Sequence, residues 1–416
     1  RNLWWPPLEH PASVFPDTIN SRLTPIPFRS LFVPDQAYIV ALGKCLPNAP
    51  VDNEKIGEVL GTMGGRPSRA KRITLRNNGI KTRHYAIDPA TGLPTHNNAQ
   101  LTALAVRSAL KRLDMRVRDI ELLACGTSAP DQLKPAHANM VHAELGESAM
   151  EVLSTAGVCS AGLAALKYAW FSVKSGSVRR AVSTGSELAS SFMVGRNFAA
   201  ESEQSEGDLE RTPQLAFEKD FLRWMLSDGA GAALIANEPV GTDMAFRIDW
   251  IDGISLAHEL PVCMYSGAIK QPDGRLRGWR EAPTRASVVE DQYFAVKQDA
   301  RLLDELIPRL ISAETIGAMA KKHGLAATDV DWLVPHYSSQ YFRPVLARCL
   351  DGIPFHIPYE RWFTNLTTVG NVGSASMYLM LEELMYSGKL KRGQRVLCFV
   401  PESARFFVYY MLLTVV

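Results

Sequence analysis

The sequence predicts an α/β fold built from a duplicated αβ unit, and two observations carry that prediction. From Ala37 onward, short apolar runs alternate with helical stretches, the pattern of parallel sheets covered by helices. A segment also recurs. Residues 111–123 (KRLDMRVRDIELL) match 321–333 (KKHGLAATDVDWL) without a gap at a constant offset of 210. The basic pair, Met115/Leu325, Asp119/Asp329, Ile120/Val330 and Leu123/Leu333 coincide. Ser175-Gly176 then falls on Ser387-Gly388 at an offset of 212, each closing a helical stretch just before an apolar strand.

Taken in order, residues 1–36 are Pro-rich and aperiodic, which predicts an extended arm. Tyr38-Ile39-Val40-Ala41-Leu42-Gly43 is a short apolar run ending in Gly, a strand buried on both faces. A helix is expected near 97–114, a strand near 120–125, a helix near 160–175 and a strand near 180–185. The stretch 201–223 carries Glu201, Glu203, Glu206, Asp208, Glu210, Glu218 and Asp220 in a polar context. It is expected as a surface insertion, placed at about 196–225, or as a lid. Later come the strands Trp332-Leu333-Val334 and Val396-Leu397-Cys398-Phe399-Val400. The halves are expected at 37–240 and 241–416.

At 416 residues the chain can bury a large core, and 46% hydrophobic with 21% charged residues is ordinary globular composition. A formal net charge of +2, with no basic run, argues against a nucleic-acid binder. No window approaches the roughly 18 uncharged apolar residues of a membrane span. The start, Arg1 to Pro7, lacks the layout of a secretory signal. Six cysteines (Cys45, Cys125, Cys159, Cys263, Cys349, Cys398) show no metal-like spacing. They read as reduced thiols of a cytoplasmic protein that holds no metal.

Cys159 stands apart. The segment from Ser154 to Gly162 (STAGVCSAG) is a small-residue turn leading into an apolar helix. A thiol at a helix N-terminus meets the macrodipole and free N–H groups that favour a thiolate, the nucleophile that takes an acyl group from a thioester. The duplication adds partners. Cys159 plus 212 is Asn371, so the two occupy equivalent loop-to-helix positions, and equivalent sites of a pseudo-two-fold meet at its axis. His336 ends the strand at 332–334, where open parallel sheets place their sites. Helix capping is the rival role for Asn371, flanked by Gly370 and Gly373.

GVCSAG at 157–162, DGAGAAL at 228–234, DWLVPHYSS at 331–339 and GNVGSAS at 370–376 resemble the successive signatures of ketoacyl synthase III enzymes. YIVALGKCLPN at 38–48 and NGIKTRHYA at 78–86 match in order and spacing too. The resemblance covers about 37–400 and implies the thiolase fold, two similar halves in five αβαβα layers, with a homodimer as the usual assembly. It implies that Cys159 is acylated, with His336 and Asn371 beside it donating hydrogen bonds to the carbonyl of the second substrate as negative charge develops. Backbone N–H groups of Cys159 and Ser403 are expected to form the oxyanion hole. No cofactor is implied, because the substrates ride on the phosphopantetheine of an acyl carrier protein or coenzyme A.

The pattern departs from the family at its end, where Pro401-Glu402-Ser403-Ala404-Arg405 replaces a Gly-rich segment. Ile73 stands where members that load from coenzyme A often carry Trp, which favours a carrier protein. Tyr341 replaces a common carrier-contacting Arg, with Arg343 nearby. Glu151, Glu187, Arg361 and Glu402 flank the motifs, as salt-bridge partners or as groups for a later cyclisation. The altered closing loop, arm and insertion resemble the dialkylresorcinol- and stilbene-forming branch, which condenses and then closes a ring. The alternatives are a plain fatty-acid initiation enzyme and a catalytically silent partner subunit, which would lack the nucleophile. A papain-like protease would want its Cys near the N-terminus, and a degradative thiolase needs a second Cys in a Cys-x-Gly loop, whereas Cys398 sits within an apolar strand.

Overall fold

The structure is a computed structural model and describes residues 36–62, 71–198, 222–239 and 241–416. The expected arm, except Gln36, and nearly all of the acidic stretch at 201–223 lie outside the described residues. The main sheet takes β1 (Tyr38–Cys45), β2 (Leu122–Thr127), β3 (Glu151–Ala156), β4 (Arg180–Glu187), β5 (Gly229–Ala236), β6 (Phe246–Ser255), β7 (Trp332–Pro335), β8 (Arg395–Glu402) and β9 (Phe407–Val415). The helices that position the site are α1 (Asn98–Lys111), α2 (His137–Leu145), α3 (Ala161–Lys174), α4 (Ala300–Leu306), α5 (Phe342–Asp351) and α6 (Ser376–Met385). Each element expected from the sequence is present within a few residues of its expected bounds.

The strand order is β7-β8-β9-β6-β1-β5-β4-β2-β3. Strands β1 to β5 form one wing and β6 to β9 the other. The two wings pair where Tyr38 faces Arg247 and Ile39 faces Phe246, and Ile248 N donates to Ala37 O (3.0 Å) beside them. Helical crossovers make β2 parallel to β3 and β4, and β7 parallel to β8. The remaining neighbours are antiparallel, so the expectation of parallel sheets is only partly met. The reason is visible at β8 and β9, which a short turn at 403–406 connects without room for a crossover.

Alternation along the strands sorts their side chains into layers. In β8, Val396, Cys398 and Val400 pack with Leu163, Leu166, Met377 and Leu381 of α3 and α6. Leu397 and Phe399, on its other face, pack with Leu303, Phe342 and Leu346 of α4 and α5. In β2, Ala124 faces the same α3/α6 layer, whereas Leu123 and Cys125 face Leu101, Val106 and Val141 of α1 and α2. The result is five layers, αβαβα, the thiolase fold. Helix α1 starts where Asn97 accepts from Gln100 N (2.8 Å) and Gln100 Oε1 accepts from Asn97 N (3.1 Å), a reciprocal cap.

The repeated sequences fold alike. Asp119 Oδ2 accepts from Arg116 N (2.8 Å) and Asp329 Oδ2 from Ala326 N (2.9 Å), each closing a single 3-10 turn before β2 or β7. Gly176 and Gly388 end α3 and the α6 region with φ of 74° and 72°. The duplication is therefore in the backbone as well as in the letters.

Candidate active site

Cys159 sits between the C-terminal end of β3 and the start of α3, half-buried. The helix approaches the rest of the molecule closely at this point. Tyr378 Oη donates to Gly162 O (2.8 Å) and pairs with Ser183 Oγ (2.6 Å), tying α3 to α6 and β4. Two of the N-terminal donors expected to stabilise a thiolate, the N–H groups of Val158 and Ser160, are already taken. Glu402 Oε2 accepts from Val158 N (2.8 Å), Ser160 N (3.2 Å) and Ser160 Oγ. Burial pushes the Cys159 thiol up, and the carboxylates of Glu402 and Glu187 push it further, against its own backbone N–H. The thiol is thus held above its ordinary range, the reverse of the direction expected from the helix terminus alone.

His336 directly follows β7, and its backbone N–H donates to Phe399 O of β8 (2.8 Å). It is 4% exposed, and burial lowers its imidazole to about 4, so the ring is neutral near pH 7. Cys159 and His336, from opposite wings, line one pocket together with Ser338 and Ser403. Ser403 Oγ accepts from Gln298 Nε2 (3.2 Å). A second, smaller pocket beside His336 is lined by Gly370 and Ser376, the loop that carries Asn371.

Asn371 is buried, and its backbone bridges Met225 O and Ser227 N (3.1 and 2.8 Å). Its Oδ1 accepts from Gly373 N (3.0 Å), a local turn two residues on, rather than a helix cap, since Val372 and Ala375 hold the cap positions that follow. That bond leaves the amide's Nδ2 hydrogens as what the side chain can offer.

The four flanking charged residues divide. Glu187 is buried at the end of β4, where Ser128 N, Ser128 Oγ and Ser374 N donate to it (3.2, 2.5 and 3.1 Å). Burial still raises its carboxyl to about 7. Glu402 holds the Cys159 turn through the three bonds it accepts there. Glu151 and Arg361, by contrast, lie away from the pocket. Glu151 opens β3, at the end opposite Cys159, is exposed, and accepts from Tyr168 Oη (2.5 Å). Arg361 is exposed and donates to Val330 O (3.1 Å), beside the start of β7 rather than the end that leads to His336. Closeness to a motif along the chain placed both wrongly, because a strand carries its two ends to opposite edges of the sheet.

Sequence reasoning missed the serines that seat Glu187 and the wall of the main pocket. That wall comes from Leu303, Ile307, Ile311, Phe342, Val345 and Leu346. The spacing of four between 303, 307 and 311, and between 342 and 346, is helical but runs over too few residues to stand out in the sequence.

Residues 320–400 match the family model for 3-oxoacyl-[acyl-carrier-protein (ACP)] synthase III, C terminal. The chain is 26% identical over 361 residues to beta-ketoacyl-[acyl-carrier-protein] synthase III of Sphingopyxis alaskensis, spanning 87% of this chain and 94% of the relative. A Deinococcus radiodurans beta-ketoacyl-[acyl-carrier-protein] synthase III 2 is 25% identical over 86% of this chain and 89% of its own. Among solved structures, AbyA1, a tetronic acid condensing enzyme, superposes with a TM-score of 0.69 at 21% identity, covering 91% of this chain and 99% of that one. Xanthomonas campestris OleA, solved with bound lauric acid and lauroyl-CoA, gives 0.70 at 19% identity over 91% and 99%. Relatives along nearly the whole length and a shared fold agree: the chain is similar to ketoacyl synthase III condensing enzymes, has the fold of the thiolase type, and is an acyltransferase of the condensing kind.

Proposed function

We propose that Cys159 takes the acyl group of one thioester and that His336 and Asn371 bind the carbonyl of a second while its α-carbon becomes nucleophilic. The observation that carries this reading is a pocket shared by Cys159 and His336, brought together from opposite wings of the sheet. In loading, the bond from Cys159 Sγ to the acyl carbon forms and the donor thioester bond breaks. The thiol proton leaves with the released thiol. In condensation, a malonyl thioester loses carbon dioxide, or a β-ketoacyl thioester loses an α-proton, to give an enolate. The enolate attacks the acyl carbon and expels Cys159 sulfur, which regains a proton, the released α-proton in the β-ketoacyl case or one from water in the malonyl case.

A neutral His336 donates one N–H to the enolate oxygen, and the Asn371 amide donates at any pH. The backbone N–H groups of Cys159 and Ser403 serve the acyl carbonyl. The substrates arrive on phosphopantetheine, and no cofactor takes part. An acyl carrier protein is the partner, in the cytoplasm. Basic side chains on elements joined to the pocket support this: Arg72 and Arg76 lie on the helix whose Asn78 O accepts from Gln340 N (2.9 Å), and Arg348 lies on α5, which lines the pocket through Phe342, Val345 and Leu346.

Ring closure after condensation, as in the dialkylresorcinol-type branch, is the finer reading, and Glu187 and Glu402 are the two charged groups near Cys159 that could serve it. Product analysis with acyl-carrier thioesters, offering malonyl and β-ketoacyl partners in parallel, tests both levels. A condensed product that disappears in His336→Ala and Asn371→Ala, while Cys159 still acylates, supports both residues as carbonyl-binding groups. Undiminished condensation in those variants removes them from that role, and a linear product alone removes the cyclisation.

A further inference from the structure

Asn371 serves condensation only if its amide hydrogens, and not Oδ1, meet the developing negative charge; a carboxamide turned over by half a turn would repel it. One N–H fixes the choice. Gly373 N can only donate, so the atom 3.0 Å from it is Oδ1, and Nδ2 is left for the substrate. The orientation of the carboxamide is therefore as firm as the turn from Gly373 to Ser374 that carries this donor.

That turn is seated by a residue of the other half of the chain. Ser374 N donates to Glu187 Oε1 (3.1 Å) at the end of β4, and Ser128 N and Oγ, just beyond β2, donate to the same carboxylate (3.2 and 2.5 Å). Three donors need an acceptor with several lone pairs and no hydrogen of its own, which an ionised carboxylate is. These partners are hydroxyl and backbone groups, so the cost of burying the carboxylate is offset by hydrogen bonds rather than by a neighbouring cation. Glu187 also shapes the turn. Gly373 has a φ of 48°, and a Cβ there would stand 2.9 Å from both Cγ and Oε1 of Glu187, so the backbone lies directly against the side chain. Ser374 Oγ adds a second tie to β4, accepting from Ser186 N (3.1 Å) and donating to Ser186 O (2.9 Å).

We propose that Glu187 is a positioning residue for condensation: by holding Ser374 N it fixes the Gly373 turn, and through that turn the amide orientation in which Asn371 donates to the carbonyl of the second substrate. The proposal rests on Asn371 binding that carbonyl. In this role Glu187 touches no substrate and moves no proton. Loading of Cys159 does not depend on it. The negative charge of Glu187 even holds the Cys159 thiol up, so removing it should leave loading no slower while condensation falls.

Two single-turnover measurements on the full chain separate the steps. Intact mass reads acylation of Cys159 by an acyl-coenzyme A thioester, and then consumption of that adduct when a malonyl or β-ketoacyl carrier thioester is added. Glu187→Ala should load at least as fast as wild type and condense about tenfold slower or more. Glu187→Gln keeps an oxygen for Ser128 N and Ser374 N, with Ser128 Oγ free to turn and accept, and should restore condensation to within about threefold of wild type. In an Asn371→Ala background, Glu187→Ala should cost less than about twofold more, because no amide is left to orient. Glu187→Asp, which draws the carboxylate back by one methylene, carries the same cycle should the alanine variant fail to fold. Undiminished condensation in the folded Glu187 variants, or losses that multiply in the double variant, overturns the positioning role alone. Undiminished condensation in Asn371→Ala, or none in the wild type with either partner, overturns the reading beneath it as well.

Discussion

Around Cys159 the decisive neighbour is Glu402. Its carboxylate occupies the N–H groups of Val158 and Ser160 that a helix terminus would otherwise lend to a thiolate, and it adds a negative charge close to the sulfur. The sign follows directly: removing that charge stabilises the thiolate and lowers the pH at which the thiol ionises. Glu402→Gln should therefore react with iodoacetamide at pH 8 about threefold to tenfold faster than wild type, with the pH profile displaced downward. An unchanged profile would show that the carboxylate does not govern the thiol. The cysteine itself was legible in the sequence, because small residues before an apolar helix are a local pattern. Its electrostatic setting was not, since Glu402 reaches it across the fold from β8. The same holds for Glu151 and Arg361, whose positions depend on strand direction rather than on distance along the chain.

Among the elements, the meeting of α3, β4 and the loop before α6 leaves no space for side chains. A Cβ on Gly162 would stand 2.3 Å from Ser374 O, and one on Gly185 2.2 Å from the same atom. Backbone cannot yield as a flexible side chain does. Gly162→Ala should destabilise the protein by about 1–3 kcal/mol or more, read as a lowered urea midpoint with the slope retained. Wild-type stability would mean that the helices can separate at no cost. The first-half helices were readable from their continuous apolar faces. The wall formed by α4 and α5 was harder to read. Helix α4 is only seven residues long and passes into a 3-10 turn containing Pro308, too brief for a periodic signal to stand out.

For the whole molecule, three apolar clusters separated by two wings of sheet account for five layers from one chain. The repeat at 210 and 212 foretold the duplicated αβ unit, because both copies keep the same turn and strand chemistry, and the family resemblance implied the five layers. It could not foretell the antiparallel strands, which depend on connection lengths at β8 and β9. One edge of the sheet invites assembly. Strand β3 ends the order with half-buried residues, and on the neighbouring α3 Phe171 is 50% exposed and Tyr168 37%. We propose that two copies pair along this edge, as the homodimer of the family implies. Sedimentation equilibrium should give about twice 45.9 kDa for the wild type, and Phe171→Glu should shift the population toward one chain. A wild type that sediments as a single chain at micromolar concentration would contradict the pairing.

The central claim is that catalysis passes through an acyl thioester on one sulfur. Intact-protein mass spectrometry after incubation with an acyl thioester tests it most directly. One added acyl group on the wild type, mapping to Cys159 and absent from a folded Cys159→Ala variant, is the predicted result. An adduct that persists in that variant, or that maps to Cys45 or Cys349, would contradict it.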